Sequence, residues 1–212
     1  MNIIYIMNKI IGCILTGGKA SRMGGKIKCL ETINNKKILD IIIERSKEQV
    51  ADLIINANCD KKKFNKYKLP IFSDVLKGYL GPLAGIHASL SWVKKNKPNY
   101  SWIFTFAGDS PFFPSNIVKK IHEKAIKKDK KIIIAKSFGR DHPVFGLWHL
   151  SLLEELENAI INENIRKIDK WAQKYHYETV SFDDANYDQF FNINVDKDLI
   201  IAEKIENQFF NK

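Results

Sequence analysis

Short apolar runs alternate with longer stretches in which apolar residues return at helical spacing, along most of the 212 residues. That alternation is the mark of βαβ units and of a largely parallel sheet covered on both faces. The chain is therefore expected to fold as an α/β protein, a three-layer α/β/α sandwich around a mostly parallel, Rossmann-like sheet. Ile10–Leu15 reads as the first strand, Asp52–Asn56 as the second and Ile71–Ser73 as a short third. Trp102–Ala107 is apolar almost throughout and reads as the central strand, with further strands expected at Ile132–Ala135, Val144–Trp148 and Thr179–Phe182. Helical spacing predicts helices over Ile38–Val50, Leu83–Trp92 and Ile117–Ile126, near Leu150–Ile161 and Ile165–Tyr175, and from about Val195 onward. No internal repeat or low-complexity linker divides the chain, so one domain over residues 1–212 is expected.

Composition narrows the partners. The net charge of +10, from 34 Lys+Arg against 24 Asp+Glu, suits nucleic acid, an anionic membrane or a heavily phosphorylated small molecule. Much of the excess lies in runs such as Lys61–Lys63, Lys119–Lys120, Lys127–Lys128 and Lys130–Lys131, which read as solvated faces. Nucleic-acid binding calls for aromatic residues interleaved with basic ones, and that pattern is not found, so no nucleic-acid partner is expected. No stretch is long and apolar enough to span a bilayer, and no membrane partner is expected. The segment Met1–Leu15 is broken by Asn8-Lys9 and has no small-residue cleavage site, so it is not read as a signal peptide. Cys13, Cys29 and Cys59 are odd in number and lack C-x-x-C spacing, which speaks against a disulfide framework or a zinc site and for a reducing cytoplasm.

In an open α/β sheet, ligands bind beyond the carboxyl ends of the strands, so the residues after each strand carry the functional weight. The first strand runs into Leu15-Thr16-Gly17-Gly18-Lys19-Ala20-Ser21-Arg22-Met23-Gly24-Gly25. Consecutive backbone N–H groups in such a loop can form an anion nest, and glycines let phosphates approach without meeting a Cβ. The spacing is neither G-x-G-x-x-G nor G-x-x-x-x-G-K-[ST], so this is not a standard dinucleotide or Walker loop. Asn56-Ala57-Asn58 and Asp74 are polar exits from apolar runs, readable as contacts to a base or ribose or as caps and turn formers. Gly81-Pro82-Leu83-Ala84-Gly85 brings bare backbone to the same rim. Ala107-Gly108-Asp109-Ser110-Pro111 places a carboxylate directly after the central strand, where it can hold Mg²⁺ between phosphate oxygens or cap a helix. Gly139-Arg140-Asp141-His142-Pro143 and Phe191-Asn192-Ile193-Asn194 are polar clusters suited to a second substrate. His142 reads as a base or as a structural histidine beside a proline turn, and the sequence offers no nucleophile for a base to serve.

Taken together, LTGGKASRMGG with Lys28, NAN, Asp74, GPLAG, GDSP, RDHP and NIN resemble molybdenum cofactor guanylyltransferases in order and spacing, from about Lys9 to Leu199. The first motif alone is shared by type-A nucleotidyltransferases at large; NAN, GPLAG and RDHP point to the molybdenum cofactor branch. The resemblance implies a sheet of the nucleotide-diphospho-sugar transferase type and transfer of GMP from GTP to molybdenum-molybdopterin, with Mg²⁺ as cofactor and pyrophosphate released. It places the GTP and Mg²⁺ site in residues of about 9–115 and the molybdopterin side in about 116–199. By position, Leu15, Thr16, Gly17, Gly18 and Gly81 would line the GTP site, and Asn56 and Asp74 would contact the nucleoside. Lys28 would hold the phosphates, Arg22 would steady the pyrophosphate, and Asp109 would bind Mg²⁺ and GTP. Lys28, Arg22 and Asp109 would be the catalytic set. Arg140, His142, Asn192 and Asn194 would lie on the molybdopterin side. Proteins that deliver molybdopterin or mature molybdoenzymes are the implied protein partners.

Two positions depart from the family pattern. Thr16 stands where alanine is usual, adding a hydroxyl near the phosphates. Ile27 precedes Lys28 where an aspartate is usual, so whatever that acid orients must be held otherwise. A molybdopterin cytidylyltransferase, a relative with another acceptor and a non-catalytic nucleotide-binding adaptor share much of the same pattern.

Overall fold

The computed structural model of the protein describes residues 10–17, 27–76 and 81–210. One seven-stranded sheet runs through them, built from β1 (Ile10–Leu15), β4 (Asp52–Asn56), β5 (Ile71–Phe72), β6 (Trp102–Ala107), β7 (Ile132–Ser137), β8 (Arg140–His149) and β9 (Glu178–Ser181). Its order is β5-β4-β1-β6-β8-β7-β9, and a separate hairpin pairs β2 (Thr32–Ile33) with β3 (Lys36–Lys37). Six of the seven sheet strands run in the same direction, and only β8 is antiparallel, to its neighbours β6 and β7. The mostly parallel α/β sheet expected from the alternation is therefore the one observed.

The strands form where β-branched and aromatic residues leave no polar face. All six residues of β1 are buried, as are five of six in β6, the pattern of strands covered on both sides. Against one face lie α1 (Ile38–Lys47) and α3 (Ile117–Lys128), with Ala202 of α6 (Asp196–Phe209), in a core with Ile10, Ile14, Phe104 and Phe106. Against the other lie α2 (Pro82–Asn96), α4 (Leu153–Ile161) and α5 (Ile168–Gln173), packed on Ile11, Cys13, Leu15 and Ile103. Alternate residues of β1 thus feed opposite cores, as the two-residue period of a strand requires.

Element ends differ from the sequence expectation for identifiable reasons. Helix α1 stops at Lys47 instead of Val50: the Gln49 N–H returns to the Ser46 carbonyl, and the Gln49 side chain turns to Arg45 O and Pro114 O. Helix α2 starts earlier and runs on to Asn96, because Gly81 takes φ 72° at the N-cap and Pro82 pre-sets the first turn. The largest difference is β8. Its expected start at Val144 moves back to Arg140, since a two-residue turn at Phe138-Gly139 pairs Ser137 with Arg140 and makes the RDHP cluster strand instead of loop. The register shifts between Ile134 and Ala135, a bulge that accommodates Pro143, which has no N–H for the ladder. The hairpin β2–β3 was not anticipated. Its turn residues Asn34 and Asn35 both have positive φ, 46° and 66°, a conformation asparagine tolerates better than most residues.

Two contacts tie the segment after β6 to α1. The half-buried Arg45 guanidinium donates from Nε and Nη2 to the Phe113 carbonyl, at 3.1 and 2.5 Å, and lies 4.7 Å from the ring centre of Phe210. Gln49 Nε2 donates to Pro114 O at 3.1 Å. The chain that leaves the central strand is thereby clamped within a few residues of Asp109. Cys13 and Cys29 are buried, Cys59 is exposed, and all three are free thiols. Among the described residues no helix is long and apolar enough to cross a membrane.

The β6–β8 pairing leaves no slack. A Cβ on Gly146 would stand 2.6 Å from Trp148 Cζ2, and the indole cannot swing away because its Nε1 donates to Thr105 Oγ1 at 2.9 Å. Gly146→Ala is expected to destabilise the fold by about 1–3 kcal/mol through overpacking, read as a lower urea midpoint with an unchanged slope. An unchanged midpoint would show that Trp148 has room to move.

Candidate active site

The exits of β1 and β6 lie against each other at the carboxyl edge of the sheet. Gly108 N–H donates to Leu15 O at 3.0 Å, and a Cβ on Gly108 would stand 2.9 Å from that oxygen and 3.0 Å from Thr16 Cα. Only glycine permits this approach, because the obstacle is backbone. The same pairing sets Asp109 beside the start of the loop that leaves β1. Thr16 hands the register on: its N–H and its Oγ1 both donate to Asn56 O, at 3.0 and 2.8 Å. The extra hydroxyl at this position thus helps join β1 to β4. Gly17 is exposed beyond it.

Asn56, Asn58 and Asp74 form one network. Asn56 Nδ2 donates to Asp74 Oδ1 at 3.0 Å, Asn58 Nδ2 to Asp74 Oδ2 at 2.8 Å, and the Asp74 N–H returns to Asn58 Oδ1 at 2.8 Å. Each carboxylate oxygen accepts one side-chain bond here and has acceptor capacity left. A Cβ on Gly85, in the first turn of α2, would stand 3.0 Å from Asn56 Oδ1, so the helix packs closely on the amide, which a larger residue would push aside. Gly81 caps that helix and is exposed; it does not share a hydrogen bond with this network.

Lys28, Asp109 and Asn194 make a second cluster. Lys28 Nζ donates to Asn194 Oδ1 at 2.8 Å and lies 3.8 Å from Asp109 Oδ2. The lysine begins a 3-10 turn, Lys28–Leu30, anchored by the buried Cys29. Asn194 is fixed twice: Ile193 N–H donates to Asp109 O at 2.9 Å, and the Asp198 carboxylate accepts from the Asn194 and Val195 N–H groups at 2.7 and 3.0 Å. With Ile27 offering no acid, Lys28 is held by Asn194 from the far end of the chain and lies near Asp109. Asn192 is exposed on the same loop.

Burial raises the pKa of Asp109 above the usual carboxylate value, and the nearby Lys28 charge opposes the shift. Among the described residues no group of three or more His, Cys, Asp or Glu is placed to hold a metal. A single carboxylate is nevertheless the donor set Mg²⁺ uses when substrate phosphates supply its remaining oxygens.

The acceptor-side candidates are placed by the β7–β8 hairpin. Arg140 is exposed at its tip. His142 is joined to the protein: Nε2 is 2.8 Å from Ser137 Oγ, and the ring stacks on Phe190 at 4.2 Å and 16°. Burial lowers its pKa, with Asp188 acting in the opposite sense. Through Phe190, His142 braces the loop that carries Asn192 and Asn194. Gly18 and Arg22 lie outside the described residues. Sequence reading did not single out Asp198 or Phe190; of these only Asp198 carried a local signal, an acid in the first turn of a helix.

The MobA-like NTP transferase domain matches residues 12–178. The chain belongs to the MobA-like NTP transferase family. Within it, a molybdenum cofactor guanylyltransferase of Nitrobacter hamburgensis is 39% identical over 194 residues, 92% of this chain and 93% of its own length. A namesake from Yersinia pestis is 34% identical over 92% of this chain and 95% of its own. Among solved structures, molybdopterin-guanine dinucleotide biosynthesis protein A of Archaeoglobus fulgidus is 25% identical, with a TM-score of 0.76 over 94% of this chain and all of that one. The 4-diphosphocytidyl-2C-methyl-D-erythritol synthase of Anaerococcus prevotii, 12% identical over 96% of this chain and 99% of its own, shares the fold with a TM-score of 0.71. The MobA-like sheet is thus a nucleotidyltransferase fold.

A carboxyl whose folded pKa is raised adds stability when protonated and loses it as pH rises through that pKa. Asp109→Asn should therefore melt no lower than the natural protein at pH 7, and any advantage should shrink as pH falls toward about 4, where an ordinary carboxylate takes up its proton. A lower melting temperature at pH 7 would show that Asp109 serves the fold.

Proposed function

We propose that the protein is a nucleotidyltransferase that moves GMP from GTP to molybdenum-molybdopterin, forming the molybdopterin guanine dinucleotide and releasing pyrophosphate. The observation that carries this reading is the convergence of Lys28, Asp109 and Asn194 at the exits of β1 and β6, in a chain whose relatives bear the guanylyltransferase name over nine-tenths of their length. In this reading one domain has two sides. Residues of about 9–115 hold GTP, and residues of about 116–199 hold the acceptor.

Asp74, oriented by Asn56 and Asn58, faces the guanine or ribose with its spare acceptor capacity. Leu15, Thr16, Gly17, Gly18 and Gly81 form the backbone rim around the nucleotide. Lys28 neutralises phosphate charge, Arg22 steadies the leaving pyrophosphate, and Asp109 holds Mg²⁺, the single-carboxylate arrangement described above being suited to it. When bound, Mg²⁺ supplies charge neutralisation on the phosphate oxygens. The terminal phosphate oxygen of molybdopterin forms a bond to the α-phosphorus as the bond from that phosphorus to the β-phosphate oxygen breaks in line. No protein nucleophile is required; the residues act by positioning and electrostatics. Arg140, Asn192 and Asn194 serve the acceptor, and His142 serves it through the loop it braces. The excess positive charge favours the encounter of two anionic substrates. A cytoplasmic setting, with proteins that supply molybdopterin and take up the product, completes the proposal.

Calorimetric titration with GTP, CTP, ATP and UTP tests the donor side. GTP should bind most tightly, more so with Mg²⁺, and Lys28→Ala should weaken GTP about tenfold, on the order of 1.4 kcal/mol, while leaving guanosine unaffected. A preference for CTP would point to a cytidylyltransferase, and equal loss of GTP and guanosine binding would place Lys28 away from the phosphates.

A further inference from the structure

The hairpin β7–β8 carries a feature that packing does not account for. Its two turn residues, Phe138 and Gly139, both have positive φ, 45° and 77°, and Ser137 pairs directly with Arg140 across them. This is the turn that Asn-Gly fits best. A bulky residue at the first position is a backbone outlier, yet here it is phenylalanine, with 66% of its surface exposed. The strained position is held from outside the hairpin: Asp183 Oδ1 accepts from the Phe138 N–H at 2.6 Å.

Strand direction locates the turn. β6 and β7 are both antiparallel to β8, which lies between them, and so run the same way; the turn that ends β7 therefore lies at the carboxyl edge of the sheet, the edge at which Asp109 follows β6. The hairpin is also fastened to the site. Ser137 holds His142, His142 stacks on Phe190, and the loop after Phe190 delivers Ile193 to Asp109 and Asn194 to Lys28. An exposed aromatic ring thus stands at the carboxyl edge of the sheet, on a hairpin linked to the site, with the exposed Arg140 two residues away.

We infer that Phe138 is an acceptor-specificity residue, its ring serving as the platform on which the flat heteroaromatic part of the acceptor lies, with Arg140 beside it to meet the acceptor's anionic part. Flat heterocycles stack on aromatic side chains without needing a hydrogen-bond partner. The inference rests on the proposed transfer to molybdenum-molybdopterin and adds to it the residue that recognises the ring system.

The experiment compares the natural protein with Phe138→Asn and Phe138→Tyr in steady-state transfer from GTP to molybdenum-molybdopterin, with melting temperatures and solution mass measured in parallel. Phe138→Asn relieves the turn, so its melting temperature should hold or rise, while KM for the acceptor rises about tenfold and KM for GTP stays unchanged. Phe138→Tyr keeps the ring and should behave as the natural protein does. An unchanged acceptor KM in Phe138→Asn overturns the inference, as does a parallel rise in both KM values. A change of solution mass in that variant would also overturn it, by assigning the ring to contact between two copies of the chain. If the natural protein transfers no GMP to molybdenum-molybdopterin, the functional reading itself fails and takes this inference with it.

Discussion

The structure depends on the closeness of two strand exits. Gly108 donates to Leu15 O across a gap that no side chain could share, and this contact holds the chain leaving β6 against the chain leaving β1. Asp109 is thereby set beside the exit of β1 at Leu15 and Thr16. Thr16 carries the constraint one strand further by bonding twice to Asn56 O, and Asn56 in turn orients Asp74. Three strand ends are therefore set by one chain of short contacts, beginning at a single glycine.

The groups placed in this way are not arranged for stability. Asp109 is desolvated enough to raise its pKa, and Lys28 is held by an asparagine 166 positions away instead of by a neighbouring acid. Phe138 occupies a conformation suited to asparagine or glycine. Each of these departs from what local energetics favour, and departures of this kind gather where a protein binds and reacts. The supporting shell, by contrast, is well satisfied. Arg45 and Gln49 cap the carbonyls of Phe113 and Pro114, and Asp198 takes two backbone N–H groups at the start of α6.

Much of this was legible in the sequence. The buried strands β1, β4 and β6 announced themselves because parallel strands covered on both faces are apolar without interruption, and the polar residues that follow them marked the carboxyl edge. What local pattern could not convey was pairing at long range. Nothing near Lys28 tells that Asn194 will hold it, and nothing in RDHP tells that a two-residue turn will draw it into β8. Trp171 was read only as part of a helical spacing, since which face of the sheet a helix covers is decided by topology. The hairpin at Asn34-Asn35 was readable in principle from its turn chemistry, but two-residue strands give too little alternation to stand out.

The chemistry proposed for this site is the joining of a guanine nucleotide to a molybdopterin acceptor. The most direct measurement is identification of the product by mass after incubation with molybdenum-molybdopterin, Mg²⁺ and an equimolar mixture of GTP, CTP and ATP. The account predicts the guanine dinucleotide as the dominant product, with one pyrophosphate released for each molecule formed. A cytosine or adenine dinucleotide, or nucleotide consumption without any dinucleotide, would contradict it.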